Sequence, residues 1–292
     1  MSSDRQKAAI IGAGLIGKSW AIVFARAGWQ VTVYDSDSAV LAAAPADIRR
    51  NIQTMQEAGM LEPDQPLCET LLGNISFEPD MAVALKTAIY VQECGPEDLE
   101  IKRELFATMD KLAAPETVLA SSTSALVTSS FTGNLTGRGR MLVAHPVNPP
   151  HLVPLVELSP AKWTDPAVVA EARKIMETIG QTPILVRQEI DGFILNRLQA
   201  ALLNEAVRLV QGGYVSPEDL DRTVADGLGL RWSFMGPFET IDLNAPAGVT
   251  DYAARYSPFF KRIVESQSSV PCLLYTSPSP RDATLSRMPS SA

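Results

Sequence analysis

The segment KAAIIGAGLIGKSWAIVFARAGWQVTVYD, Lys7 to Asp35, decides the fold of this chain. It opens with a short apolar run that ends in glycines, and it closes with Gln30 to Asp35, which alternates apolar and polar residues as a strand does. Between them, Leu15 to Gly28 carries apolar side chains at helical spacing and stops at a glycine. This order of strand, helix and strand predicts a parallel βαβ unit.

The turn between the first strand and the helix has the spacing G-x-G-x-x-G, with Gly12, Gly14 and Gly17. These glycines permit a tight turn, a close approach of backbone to a pyrophosphate, and packing of helix on strand. Asp35 ends the second strand, where a carboxylate accepts hydrogen bonds from a ribose and repels a 2′-phosphate. Because Ser36 rather than arginine follows, the pattern favours NAD over NADP. A flavin, or a glycine turn without any ligand, is the alternative.

Strands and helices alternate up to about Gln188, and helices alone follow. We therefore predict a Rossmann-type doubly wound α/β domain over residues 1–188 and an all-helical C-terminal domain, cut short, over residues 189–271. The helical part begins with an amphipathic run from Gly192 to Gly212, and Ser216 and Pro217 are typical of the start of the next helix. Further strands are predicted at Ile89–Cys94, Val118–Ala120, Met141–Ala144, Leu152–Leu158 and Pro183–Arg187.

The last residues, Cys272 to Ala292, differ in composition from the rest of the chain. The stretches CLLYTSPSPRD and SRMPSSA resemble translated adapter DNA from sequencing libraries, and they follow neither a helical nor a strand period. A natural disordered tail is the alternative. We expect residues 272–292 not to be native, and the natural chain to continue differently.

Composition and charge narrow the class of protein. The 292 residues carry a net charge of −8, which does not suit a protein that tracks a nucleic-acid backbone. No apolar run reaches the length of about 18 residues that a membrane helix needs. The three cysteines form no CxxC pair, which favours a cytoplasmic location, and two histidines six residues apart make no metal site. The expected partner is a small molecule, with neither nucleic acid nor membrane involved.

The stretch HPVNPPHLVPLVEL, His145 to Leu158, carries the residues best suited to proton transfer. His145 follows an apolar run and should lie at the carboxyl end of a buried strand, where α/β sheets bind ligands. Glu157 lies within a second apolar run, so its carboxylate needs a partner. An imidazole beside a buried carboxylate is a common acid–base pair. A loop histidine and a solvent-facing edge-strand glutamate are the alternatives.

Two further polar features have both a functional and a structural interpretation. The hydroxyl run ASSTSA, which includes Ser124, follows a predicted strand and can hold a substrate, or it can cap the next helix. Asn196 lies on an otherwise apolar row of the predicted helix. Its amide can contact a substrate, or it can tie the helix to the sheet. The pattern alone does not choose between these readings.

Together, GAGLIG, ASSTS, HPVNPPHLVPLVEL and GFILNRL resemble the 3-hydroxyacyl-CoA dehydrogenase superfamily. The segments QECGPEDLEIKRE and GYVSPEDLDRTVADGLGLRWSFMGPFETIDLNA are similar to its λ-crystallin branch, which contains L-gulonate 3-dehydrogenases. The resemblance covers about residues 7–265. It implies an NAD-dependent dehydrogenase that acts on a 3-hydroxyl group and that forms a homodimer through its helical domain.

The resemblance also implies a role for each matching position. At the cofactor it places Leu15, Ile16, Asp35, Glu97 and Lys102, and around the substrate oxygen it places Ser124, Asn196, His145 and Glu157. His145 would be the general base, and Glu157 would orient it.

The choice of substrate depends on Arg231, in the segment GLGLRWSF. A guanidinium suits a free carboxylate, which favours a small 3-hydroxy acid such as L-gulonate; a surface ion pair is the alternative. Trp232 and Phe234 would suit the quaternary ammonium of L-carnitine. A 3-hydroxyacyl-CoA such as 3-hydroxybutyryl-CoA is a further candidate substrate. A non-enzymatic, crystallin-like structural protein that binds NAD is the competing class.

Overall fold

The computed structural model describes residues 6–61 and 68–267 of the 292-residue chain. The chain divides into two compact units, Met1–Leu195 and Asn196–Ala292, and each is described by itself. The predicted domain boundary after residue 188 falls in the segment between the last strand and Leu195. The adapter-like tail, residues 272–292, lies outside the described residues.

Within the described residues of the first unit, eight strands form one sheet. The strands are β1 (Lys7–Ile11), β2 (Gln30–Tyr34), β3 (Ile75–Phe77), β4 (Tyr90–Glu93), β5 (Val118–Ser121), β6 (Met141–Pro146), β7 (Leu155–Pro160) and β8 (Thr182–Leu185). Their order is β3-β2-β1-β4-β5-β6-β7-β8, and neighbours run parallel except that β7 is antiparallel to β6. The predicted Rossmann-type sheet is confirmed. The carboxyl ends of β1, β4, β5 and β6 meet at one edge, where such sheets bind ligands.

Helices cover both faces of this sheet. They are α1 (Leu15–Arg26), α2 (Ser38–Glu57), α3 (Cys68–Gly73), α4 (Met81–Leu85), α5 (Leu99–Leu112), α6 (Thr128–Thr132) and α7 (Pro166–Thr178). An aspartate precedes each of α2, α4, α5 and α7, and its carboxylate accepts backbone N–H groups of the first turn. Such a cap stabilises a helix by about 1 kcal/mol.

The core has two layers, because successive side chains of each strand point to opposite faces. In β1, Ile10 packs into a cluster with Trp20 of α1, whereas its neighbour Ile11 packs into a second cluster with Phe106 of α5. Burial on both faces explains why β1, β5 and β6 appear in the sequence as continuous apolar runs, whereas the less buried β2 alternates.

The structure differs from the sequence prediction in its short elements. The short elements α3, α4, α6 and β3 were not predicted from the sequence. Each has six residues or fewer, which is too short for a periodic pattern of apolar residues to show. The long helix α8 (Leu195–Gln211) starts three positions later than predicted. It starts late because Gly192 and Phe193 have positive φ angles, 75° and 49°, that a right-handed helix excludes.

The second unit is helical, as predicted. It contains most of α8, then α9 (Pro217–Arg222), a π-helical segment (Thr223–Gly229), α10 (Leu230–Trp232), α11 (Pro237–Leu243) and α12 (Gly248–Ser266). The predicted helix start is confirmed, since the Ser216 hydroxyl accepts the N–H of Asp219 and Pro217 is the first helical residue. Over residues 6–61 and 68–267, no helix is both long enough and apolar enough to cross a bilayer.

Candidate active site

The glycine turn between β1 and α1 is fixed by close packing. Gly12 has a φ of 110°, and a Cβ there would meet the carbonyl oxygen of Cys94 at 2.6 Å. At Gly17 a Cβ would meet the carbonyl oxygen of Gly12 at 1.8 Å. At Gly14 a Cβ would meet nothing within 4 Å. Gly12 and Gly17 therefore hold the turn against its neighbours, whereas Gly14 leaves bare backbone on the outer surface at the start of α1.

Asp35 lies beside this turn, at the end of β2. Its carboxylate accepts the N–H of Ala13 at 2.7 Å and the N–H of Asp37 at 2.9 Å, which fixes its orientation. Gly12, Gly14, Asp35 and Cys94 are among the residues that line a cleft of about 510 Å³. Burial raises the pKa of the Cys94 thiol to about 12, so this wall of the cleft carries no thiolate.

These residues fit NAD. Bare backbone and free N–H groups at the first turn of α1 suit a pyrophosphate, and a fixed carboxylate at the end of β2 suits a ribose with two free hydroxyls. Leu15, at the first turn of α1, is exposed, and Ile16 is half-buried. Their contact with the cofactor stays a prediction.

His145 and Glu157 form a buried pair. They stand directly opposite each other on the antiparallel strands β6 and β7, and His145 Nδ1 lies 2.8 Å from Glu157 Oε2. His145 is 5% exposed and Glu157 is fully buried. The structure therefore excludes both a solvent-facing glutamate and a histidine on a loop.

Glu157 has further donors at the start of α8. Its other oxygen, Oε1, accepts the backbone N–H of Ile194 at 2.8 Å and of Leu195 at 3.0 Å. Burial raises the pKa of Glu157, but the hydrogen bonds from His145, Leu195 and Ile194 together lower it further, so the net pKa lies below its ordinary value. The carboxylate is therefore charged at neutral pH.

Phe193 has a role in this site that sequence patterns do not reveal. This residue is fully buried, and its ring packs against the His145 ring with centroids 5.1 Å apart. Its left-handed backbone turns the chain so that the next two N–H groups reach Glu157. The segment was expected to be regular helix, and a positive φ at a phenylalanine leaves no trace in the hydrophobic pattern.

Ser124 lies on the loop after β5, and the carboxylate of Glu97 holds this loop. Glu97 accepts the hydroxyl of Thr123 and the N–H groups of Ser124 at 3.3 Å and Ala125 at 3.1 Å. The Ser124 side chain is exposed. Glu97 was expected at the cofactor; in the structure its carboxylate binds the loop that carries Ser124, and its contact with NAD stays a prediction.

Lys102 is buried and paired with a carboxylate. Its ammonium lies 3.1 Å from both oxygens of Glu93, and the two side chains are 1% and 0% exposed. The predicted contact of Lys102 with NAD stays a prediction, since its donors point at Glu93. Glu93 was missed by sequence reasoning, although a charged residue that ends the apolar run IYVQE was a usable signal.

Asn196 and Arg231 belong to the second unit. Asn196 lies in the first turn of α8, and Arg231 lies on α10, where it is exposed beside Trp232. Their contacts with substrate stay predictions. Within the two described ranges, no group of three His, Cys, Asp or Glu side chains is placed to hold a metal ion.

Comparisons with known proteins agree with this geometry. The family model described as "3-hydroxyacyl-CoA dehydrogenase, NAD binding domain" matches residues 7–190, and the C-terminal domain model of the same family matches residues 192–269. Rabbit (Oryctolagus cuniculus) lambda-crystallin is 44% identical over 90% of this chain and 82% of its own length. The L-carnitine dehydrogenase of Streptomyces coelicolor is 33% identical over 88% of this chain and 79% of its own length.

Solved structures give the same result. An NAD⁺-dependent FHMPC 5-dehydrogenase aligns with a TM-score of 0.78 and 30% identity, over 97% of this chain and 87% of that one. The match extends through both units. The sheet, the glycine turn and the two family models thus lead to one conclusion: the chain belongs to the 3-hydroxyacyl-CoA dehydrogenase family, in its λ-crystallin branch, and is an NAD-dependent oxidoreductase that oxidises a hydroxyl group.

Proposed function

We propose that this enzyme oxidises the 3-hydroxyl group of a small 3-hydroxy acid, and that L-gulonate, oxidised to 3-dehydro-L-gulonate, is its substrate. The buried pair of His145 and Glu157 at the ligand edge of the sheet is the observation that supports the chemistry. The similarity to lambda-crystallin supports the choice of the λ-crystallin branch, and through it a sugar acid.

The hydrogen bond between the pair assigns the reactive nitrogen. An ionised carboxylate can only accept, so His145 Nδ1 carries a proton and donates it to Glu157. Nε2 then has a free lone pair and takes the proton of the substrate hydroxyl. Glu157 stabilises the positive imidazolium that results, while Ile194 and Leu195 keep Glu157 in place.

NAD supplies the group that accepts hydride from the substrate carbon. In this proposal the turn of Gly12, Gly14 and Gly17 holds its pyrophosphate. Asp35 holds the adenosine ribose, and Leu15, Ile16, Glu97 and Lys102 also lie at the cofactor. Ser124 and Asn196 fix the substrate oxygen. Arg231 binds the substrate carboxylate through two parallel N–H···O bonds.

L-Carnitine is the second candidate substrate. Trp232 and Phe234 are exposed next to Arg231, at 41% and 73%, and aromatic faces bind quaternary ammonium groups. A relative named L-carnitine dehydrogenase is 33% identical to this chain. A 3-hydroxyacyl-CoA is the third candidate, by the name of the family model.

The test measures NADH formation with L-gulonate, L-carnitine and 3-hydroxybutyryl-CoA, for the wild-type enzyme and for His145→Ala. Loss of the base should lower kcat by about 10²–10⁴-fold. His151→Ala is the matched control, because His151 is the only other histidine of the sequence and its carbonyl oxygen accepts from Arg26, at the end of α1 that is remote from the glycine turn.

The result assigns the substrate class. Turnover of L-gulonate that His145→Ala abolishes and His151→Ala retains supports the proposal. Preference for the thioester or for L-carnitine rejects L-gulonate, and equal activity in His145→Ala rejects the base.

We also propose that the second unit forms a homodimer and that the enzyme works in the cytoplasm. Large apolar side chains of that unit are exposed, among them Phe238 at 77% and Leu243 at 70%, which suits a surface covered by a second copy. The cytoplasmic location is supported by the small number of cysteines in the sequence, which has three and no CxxC pair.

A further inference from the structure

The buried ion pair between Glu93 and Lys102 lies at the end of β4, and the proton-transfer step makes no use of it. Taking two charges out of water is costly, and such a pair persists only where its hydrogen bonds are satisfied. The pair is buried, since the side chains of Glu93 and Lys102 are 0% and 1% exposed. Its hydrogen bonds are also made, since the ammonium lies 3.1 Å from each carboxylate oxygen.

Glu93 also accepts hydrogen bonds from the loop after β4 and from the end of β5. Its Oε1 accepts the N–H of Gly95 at 2.6 Å, in the loop after β4. Its Oε2 accepts the hydroxyl of Ser121 at 2.6 Å, at the end of β5. One carboxylate therefore connects the ends of two neighbouring strands on the ligand edge of the sheet.

The loop after β4 packs against the glycine turn. A Cβ at Gly95 would meet Glu93 Oε1 at 2.9 Å, and a Cβ at Gly12 would meet the carbonyl oxygen of Cys94 at 2.6 Å. The backbone N–H of Cys94 also donates to Ile11 at 2.7 Å. Glu93 therefore fixes Gly95, and the adjacent Cys94 contacts the glycine turn, so a shift of Glu93 would also move that turn.

The loop after β5 is held at both of its ends. Ser121 Oγ, bound to Glu93, accepts the N–H of Thr123 at 3.2 Å. Glu97 accepts the N–H groups of Ser124 at 3.3 Å and Ala125 at 3.1 Å. Two carboxylates, Glu93 at the end of β4 and Glu97 in the loop that follows, therefore set the path of the residues that surround Ser124.

We propose that Glu93 and Lys102 are positioning residues, which lock the loop of Ser124 to the cofactor turn. Lys102 acts through Glu93, as the buried counter-ion that donates two of the four hydrogen bonds this carboxylate accepts. The inference rests on the proposed function, since Ser124 matters to the rate only if it holds the substrate.

The test removes both charges together, in the double variant Glu93→Leu/Lys102→Met. No unpaired charge is left behind, and apolar replacements of buried ion pairs commonly keep a protein folded. We expect a folded enzyme whose kcat is lower on the order of 100-fold, as a displacement of about 1 Å in a reacting group can cause. Hydrogen exchange at the amides of Ser124 and Ala125 should become on the order of tenfold faster, which corresponds to about 1.4 kcal/mol.

A second ion pair in the same unit, which is largely buried, is the matched control. Arg140 Nη2 lies 2.9 Å from Asp110 Oδ1, and these side chains are 10% and 12% exposed. Asp110→Leu/Arg140→Met should lower Tm and change kcat by less than about twofold, because this pair has no contact with Glu93, Glu97 or Ser124.

Each outcome decides the proposal. A folded Glu93→Leu/Lys102→Met enzyme with the kcat and the amide exchange of the wild type overturns it. If that variant does not fold, Ser121→Ala decides, because it removes only the hydroxyl that joins Glu93 to the N–H of Thr123. A kcat about tenfold lower, with faster exchange at the amides of Ser124 and Ala125, then supports the proposal, and wild-type values overturn it.

The exchange measurement separates this proposal from the proposed function. If the wild-type enzyme oxidises none of the three test substrates, the proposed function fails. Faster exchange at Ser124 and Ala125 in the double variant then still supports the positioning role, and unchanged exchange overturns it.

Discussion

At the scale of single residues, the site depends on one carboxylate that is both buried and charged. Glu157 has three donors, one from His145 and two from the backbone before and at the start of α8. These bonds outweigh the cost of burial and keep its pKa below the ordinary value. The same bonds choose the tautomer of His145, so the stability of this pair and its chemistry have a common origin.

The depressed pKa of Glu157 predicts how stability changes with pH. In the unfolded chain the carboxyl group has its ordinary pKa of about 4.3, and in the folded enzyme its pKa is lower. The difference stabilises the folded enzyme fully above the unfolded-state pKa, and this stability is lost as the pH falls through the folded-state pKa. Glu157→Gln should therefore lower the free energy of unfolding by about 1–3 kcal/mol at pH 7, and the difference from wild type should shrink below about pH 4.

Urea unfolding between pH 3 and pH 8 measures this difference. Glu177→Gln, on the exposed part of α7, is the control and should follow the wild-type curve. A Glu157→Gln deficit that stays constant over the whole pH range would contradict the assignment.

At the scale of elements, the β1–α1–β2 unit combines two kinds of glycine. Gly17 is needed for packing of α1 on the turn, because a Cβ would overlap the carbonyl oxygen of Gly12 at 1.8 Å. Gly14 has open space around it and an ordinary φ of −69°. In this motif the packed Gly17 supports the fold, and the open space at Gly14 leaves room for a ligand.

The two glycines should therefore respond differently to alanine. Gly17→Ala should destabilise the enzyme by about 1–3 kcal/mol, as overpacking does. Gly14→Ala should change stability by less than about 1 kcal/mol and raise the Kd of NAD on the order of tenfold, since the new methyl group occupies the path of the pyrophosphate.

Thermal unfolding and a fluorescence titration with NAD measure both effects. Equal loss of stability in the two variants, with NAD affinity unchanged in Gly14→Ala, would be the contrary result.

Elements with several periods and a defined end could be predicted from the sequence. The first βαβ unit and the pair of strands around His145 and Glu157 are of this kind. Short elements such as β3 and α6 offer too few residues, and periodicity gives no strand direction, so the antiparallel β7 was not foreseen.

Within the site, the titratable pair was predictable because a histidine and a glutamate in apolar runs are conspicuous. The positive φ of Phe193 and the partner of Lys102 depend on three-dimensional contacts that no local pattern records. The hydrogen bonds from the loop of Ser124 to Glu97 also depend on the fold and could not be predicted from the local sequence.

At the scale of the whole molecule, the two units differ in how they bury apolar side chains. The first unit contains both core clusters. In the described part of the second unit, only Thr240 and Ala245 are buried, while Phe234, Phe238 and Val264 are exposed. An apolar surface of this kind favours association.

The proposed dimer predicts that a charge on this surface weakens self-association. Phe238→Asp should raise the dimer dissociation constant at least about tenfold, because a buried aromatic contact contributes more than about 1.4 kcal/mol. Val83→Asp, at a site 53% exposed on α4 of the first unit, is the control. Sedimentation equilibrium measures both constants, and a wild-type enzyme that is monomeric at every concentration would contradict the proposal.

The short connection that precedes α8 has a consequence for how this protein can change over evolution. Connections between units commonly accept inserted or deleted residues. Here Phe193, Ile194 and Leu195 contact the His145–Glu157 pair directly, through one ring and two N–H groups. A length change at this point would impair turnover even in a protein that folds normally. Variation in length should therefore accumulate elsewhere in the chain, and this connection should keep a constant length among active descendants.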